Sequence, residues 1–95
     1  MPAGPDTLAL PAELTHAQAS PCVERLLAQA LASKAGEVVI EAGALAHFDS
    51  SALSVLLECR RRLLARSMVL KVRGLPPRLR TLAALYGVAD LLPEG

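Results

Sequence analysis

Residues 37–53 read EVVIEAGALAHFDSSAL, and this stretch decides the fold. It opens with Val38-Val39-Ile40, three β-branched residues in a row, the composition of a strand covered on both faces. It closes with Asp49-Ser50-Ser51, three side chains able to accept orphan amide hydrogens where a helix begins. From Ala52 to Arg66 apolar residues recur at helical spacing, which predicts a long helix. Ala42 to Phe48 between the two reads as a loop. A strand, a loop and a helix in this order form one unit of an α/β fold.

Upstream, Thr7 to Leu10 reads as a strand ended by Pro11, with Ala12 to Leu14 as a second short extended piece. Ser20-Pro21 reads as a helix entry, because a serine oxygen can cap an amide and proline's fixed φ suits a first helical position. The expected helix runs from Pro21 to Ser33. Its core face is Val23, Leu26, Leu27, Ala30 and Leu31, and Glu24, Arg25 and Gln29 point outward. Downstream, Met68 to Val72 predicts a strand closed by Gly74. Pro76-Pro77 opens a last helix through Tyr86 that Gly87 terminates. The predicted order is βαβαβα. This makes an α/β fold, one small domain over residues 7–95 behind a flexible lead at residues 1–6. Its sheet is mostly parallel or mixed, of about four strands, with helices packed on it. Leu26, Leu56, Leu63 and Leu82 are expected in the core.

Composition narrows the function classes. A chain of 95 residues holds one domain, and 53% apolar residues exclude disorder. So small a core leaves no room for a deep enclosed cavity, so a site is expected at the surface. A net charge of +1 with no Trp, one Phe and one Tyr supplies neither a phosphate-neutralising field nor a platform for stacking bases, so nucleic acid is not an expected partner. Cys22 and Cys59 lie in two different predicted helices and match neither a disulfide framework nor a metal spacing, which suits a reducing cytoplasm. No charged-then-apolar leader opens the chain, and no run approaches the ~18 apolar residues of a membrane span. A protein that is neither exported nor inserted into a membrane is expected.

Several chemistries fail on residue types. The loop after Ile40 has only Gly43 and lacks the glycine spacing of a phosphate cradle. His47, Asp49 and Ser51 lie at i, i+2 and i+4, a placement that does not let a base, an orienting acid and a nucleophile converge. His16 and His47 stand without metal-ligand spacing. No enzyme activity, cofactor or metal is expected. On the helix from Ala52, at ~100° per residue, Ala52, Leu56, Cys59 and Leu63 make one core stripe. Leu53, Leu57 and Leu64 widen it, with Arg60 between the groups. Ser50, Ser54, Leu57, Glu58 and Arg61 make a mixed outer face, a composition shared by protein contacts and by solvated surfaces. Arg60-Arg61-Arg62 spread round the helix and, with Arg66, read as a solvated end that complements the helix dipole.

The strand Val38-Val39-Ile40 followed by Asp49-Ser50-Ser51-Ala52-Leu53 resembles the core motif of STAS domains, a family that includes the anti-sigma-factor antagonists. The family pattern is Asp, then Ser or Thr, then Ser, Thr or Gly, then Gly and Leu, and this chain departs at Ala52, a small residue in the glycine's place. Residues 8–14 (LALPAEL) resemble the opening strand pair. Residues 82–88 (LAALYGV) with Leu91-Leu92-Pro93 resemble the close of the MlaB branch, the cytoplasmic STAS subunits of Mla phospholipid ABC transporters. The resemblance spans Thr7 to Pro93. It implies a non-enzymatic accessory subunit, cytoplasmic and peripheral at the inner membrane of Gram-negative bacteria. Such a subunit binds and supports the ATPase of a complex that also holds permease and substrate-binding subunits and maintains outer-membrane lipid asymmetry. The resemblance places Ser50 at the ATPase contact, with Ser54, Leu57, Glu58 and Arg61 on the same face. The alternative it implies is an anti-sigma-factor antagonist in which Ser51 occupies the phosphorylated position. Asp49, Ser51, Ala52 and Leu53 are motif and helix cap in both.

Overall fold

The β-branched run forms β3 (Glu37–Glu41), flanked by β1 (Asp6–Ala9) and β5 (Val69–Arg73) in a sheet of order β1-β3-β5 whose strands are all parallel. The computed structural model describes residues 6–33 and 35–94. Residues 1–5 of the expected lead lie outside these, and Asp6 already pairs with Val38. Leu8, Ile40 and Val72 stand in register across the sheet, as do Val38 and Leu70. Their side chains share one core with α1 (His16–Ala32), α2 (Ser51–Leu64) and α3 (Pro77–Leu85).

The strand count resolves into two sheets. β2 (Glu13–Leu14), the expected second extended piece, and β4 (His47–Phe48) pair in parallel as a separate two-stranded sheet, so Ala42 to Phe48 is not all loop and the expected order gains one unforeseen strand. β3 is buried on both faces, as its composition predicts. Val38 and Ile40 belong to the core shared with the helices, whereas Val39 faces the other side and does not. Val39 is nevertheless 1% exposed. The ion pairs Lys71 to Glu37 at 3.5 Å and Arg73 to Glu41 at 3.6 Å link β5 to β3 on that face, and the aliphatic stems of such residues can cover apolar surface.

α1 begins five residues before the expected entry. Thr15 is its N-cap, and the Gln18 side chain reaches back to accept the Thr15 amide at 2.8 Å, the return half of a capping box. Pro21 therefore lies inside the helix. It is tolerated because it and Ala17, whose carbonyl loses its partner, are both exposed to water. Val23, Leu26, Leu27 and Ala30 are buried as expected and are joined by Cys22, but Leu31 is 42% exposed. Leu26, Leu56 and Leu63 are core residues, whereas Leu82 is only half-buried, and in α3 the buried positions are Leu79 and Ala83. Gly87, at φ 72°, ends α3. Its amide donates to Ala84 and the Val88 amide to Ala83, the paired return bonds of a Schellman motif.

Candidate functional site

The site grows from the end of β4. The ring of Phe48 lies under the Arg78 guanidinium of α3, 5.3 Å from its centroid, a cation–π contact that ties the first turn of α3 to this loop. Asp49 comes next and serves two helices at once. Its Oδ1 accepts the Ser51 amide at 2.7 Å and its Oδ2 the His16 amide at 3.3 Å, so one carboxylate meets orphan donors at the N-termini of both α2 and α1. Hydrogen bonds from Ser51 hold the Asp49 pKa below the usual carboxylate value. Of the expected caps Asp49, Ser50 and Ser51, it is the Asp49 side chain that takes the amide. Ser51 is the first residue of α2, and Ser50 before it is exposed and makes no side-chain cap bond. Ala52 is fully buried and Leu53 is 3% exposed, so the motif's apolar half is structural, and Ala52 satisfies the same demand for a small residue as glycine.

The helical angles sort α2 as the spacing predicts except at two positions: Leu64, expected to widen the apolar stripe, is 43% exposed near the helix end, and Val55, outside the expected stripe, is buried. Ala52, Leu53, Val55, Leu56, Cys59 and Leu63 are buried, while Ser54 and Arg61 join Ser50 on the exposed side. Leu57 and Glu58 are half-buried, and Leu57 packs partly against the core. Arg61 donates to both oxygens of Glu58, from Nε at 3.0 Å and from Nη2 at 2.7 Å. This pair draws the Glu58 pKa down and the Arg61 pKa up. Being exposed, it adds little stability but fixes where both groups point. Arg62 lies 3.7 Å from Glu24 of α1 and 3.9 Å from Glu58, so charge spans the two helices.

The outer face of α2 continues onto α1. A groove of about 240 Å³ runs between the helices, with Ala19, Ser20 and Val23 facing Ser54, Val55 and Glu58. Ser20, expected as a helix cap, lies inside α1 with Ala19 beside it. The signal available was a run of small residues on the exposed side of a helix now known to begin at His16. The position of Arg78 over Phe48 left no local signal, since the two are 30 residues apart in the chain.

His47 Nε2 lies 3.9 Å from Glu13 Oε2 across the β2–β4 pair, while the Asp49 carboxylate is engaged by backbone amides. Among the described residues no group of three or more His, Cys, Asp or Glu side chains could hold a metal ion, and no helix is long and apolar enough to cross a membrane. What the site presents is hydroxyls, a half-buried leucine and a fixed ion pair on one helix, a composition shared by protein contacts and by solvated surfaces.

A family model described as "Mlab, STAS domain" matches residues 1–93. No curated protein matches the chain. The match runs over nearly the whole sequence and meets a small α/β domain with its Asp-Ser-Ser motif at the head of α2, and the chain therefore belongs to the STAS domain family.

Proposed function

We propose that the protein is a non-enzymatic accessory subunit of an Mla-type phospholipid ABC transporter. It docks on the transporter's ATPase through the outer face of α2 and needs no cofactor of its own. The observation that carries this reading is the match over residues 1–93 to the family model described as "Mlab, STAS domain". The geometry of α2 supports it. Ser50, Ser54 and Arg61 are exposed, Leu57 and Glu58 form a half-buried shoulder, and Asp49 fixes the helix start so that the surface is rigid before a partner arrives. Preorganisation of this kind lowers the entropy cost of binding. The complex, with its permease and substrate-binding subunits, holds the protein at the inner membrane and maintains outer-membrane lipid asymmetry.

Affinity purification of the tagged full chain from its native host tests this. An ABC ATPase with a permease is expected to co-purify with wild type and to be lost with Ser54→Arg, whose melting temperature stays near wild type because the position is exposed. Leu57→Asp is the weaker probe, since Leu57 also packs against the core. Recovery of a serine kinase and a sigma factor, with a phosphate-dependent gel shift abolished by Ser51→Ala, would replace this reading with that of an anti-sigma-factor antagonist. The phosphorylated position would then be Ser51.

A further inference from the structure

A groove of about 480 Å³ lies between the C-terminal halves of α1 and α2. Its apolar lining is Leu27, Ala28, Leu31 and Ala65, and Leu31, on the apolar stripe of α1 by spacing, is 42% exposed there. Its rim carries Arg61, Arg62 and Arg66 against a single acid, Glu24. Much hydrogen-bonding capacity on that rim is unused. Arg62 stands 3.7 and 3.9 Å from its two carboxylates, beyond N–H···O bonding length, so charge orients it while its donors stay free. Arg61 commits two of its donors to Glu58, and Arg66 makes no ion pair among the described residues. Cations at a helix C-terminus complement its dipole. That effect explains the charge but not an apolar floor sunk between two helices.

We propose that this groove docks an acidic amphipathic helix of a partner protein. Aliphatic side chains spaced i, i+3 or i+4 rest on Leu31 and Ala65, and flanking carboxylates take the free donors of Arg62 and Arg66. The proposal goes beyond the transporter reading and does not depend on it. An anionic bilayer offers the same charge, but the apolar lining is confined to a groove between two helices, a shape that suits a single helix better than a flat surface.

The probe is a capped synthetic peptide of about 18 residues, long enough to be helical, with leucines at i, i+3 and i+4 spacing and glutamates elsewhere. It is titrated into the full-length isotopically labelled protein and followed by amide chemical shifts. Shifts are expected at Leu27, Ala28, Leu31, Ala65 and Arg66. Affinity should fall with salt and drop about tenfold or more in Arg66→Glu and in Leu31→Glu, a size typical of a lost interfacial ion pair or anchor. Melting temperatures of both variants should stay near wild type, because both positions are exposed. A lysine-for-glutamate version of the peptide that binds equally well, or shifts confined to the N-terminal half of α2, would overturn the proposal. So would binding to phosphatidylglycerol vesicles with none to the peptide. Ser54→Arg leaves peptide binding unchanged, so this proposal and the ATPase reading fail separately.

Discussion

Asp49 is where the most geometry meets on one residue, since its two oxygens hold the starts of α1 and α2 together. Its folded pKa is depressed by those hydrogen bonds. A group of this kind contributes stability that is complete above its unfolded pKa, about 4, and is lost as pH falls through the lower folded value. Asp49→Ala should therefore melt below wild type at neutral pH, and the two curves should converge in acid. A gap in Tm that stays constant across that range would remove the carboxylate from the account. Two turn residues give a matched pair of opposite sign. Ser67 at φ 59° and Gly87 at φ 72° both follow helices, and both have the same return bonds, Ser67 to Leu64 with Met68 to Leu63 in one case and Gly87 to Ala84 with Val88 to Ala83 in the other. Left-handed backbone costs a residue with a Cβ ~1 to 2 kcal/mol. Ser67→Gly should gain up to about 1 kcal/mol after glycine's larger unfolded-state entropy is subtracted. Gly87→Ala should lose about 1 kcal/mol, and this loss is purely conformational because a Cβ there meets nothing within 4 Å. Urea midpoints at an unchanged m-value measure both.

Among the elements, α1 carries an internal cost that its sequence conceals. Pro21 removes the amide that would bond to Ala17, and proline is ~3 kcal/mol worse than alanine inside a helix. Pro21→Ala is expected to raise stability by up to about 3 kcal/mol in chemical denaturation. A loss would mean that Pro21 serves a contact instead of merely being tolerated. The same residue explains what the sequence hid. Ser20-Pro21 is a strong start signal, and it masked the quieter Thr15-His16-Ala17-Gln18, which has the Thr-x-x-Gln spacing of the capping box that forms. The strands β3 and β5 and the helix α2 were legible because a β-branched run or a 3.6-residue period extends over enough residues to be read. β4 was not, because two residues, His47 and Phe48, carry no period and their partner Glu13-Leu14 is 34 positions away. On the candidate site, helical angles marked the outer face of α2, and the family resemblance, not the angles, made it a candidate contact. The share contributed by α1 and the seat of Arg78 on Phe48 come from packing between distant segments, which no local pattern encodes.

At the scale of the whole molecule, the core seam beneath α1 and α2 shelters both cysteines. Cys22 is 5% and Cys59 1% exposed. Desolvation by burial pushes both thiols up, Cys59 to about 12. Since the thiolate is the nucleophile, an aromatic disulfide reagent at neutral pH should label neither in the native protein and should label both at the rate of unfolding. Fast modification of either would contradict the packing of the seam. The parallel topology has a further consequence, in time rather than in space. Each ladder of the main sheet joins residues 32 positions apart, Asp6 with Val38 and Glu37 with Val69, and no described strand pairs with the next through a hairpin. Every pairing must therefore wait for a crossover to form and for its loop entropy to be overcome. Until β1 and β5 close on it, Val38-Val39-Ile40 is an apolar, β-prone segment without partners, the kind that other chains can capture. The speed of two helical crossovers thus sets how crowded a solution this protein tolerates while it folds.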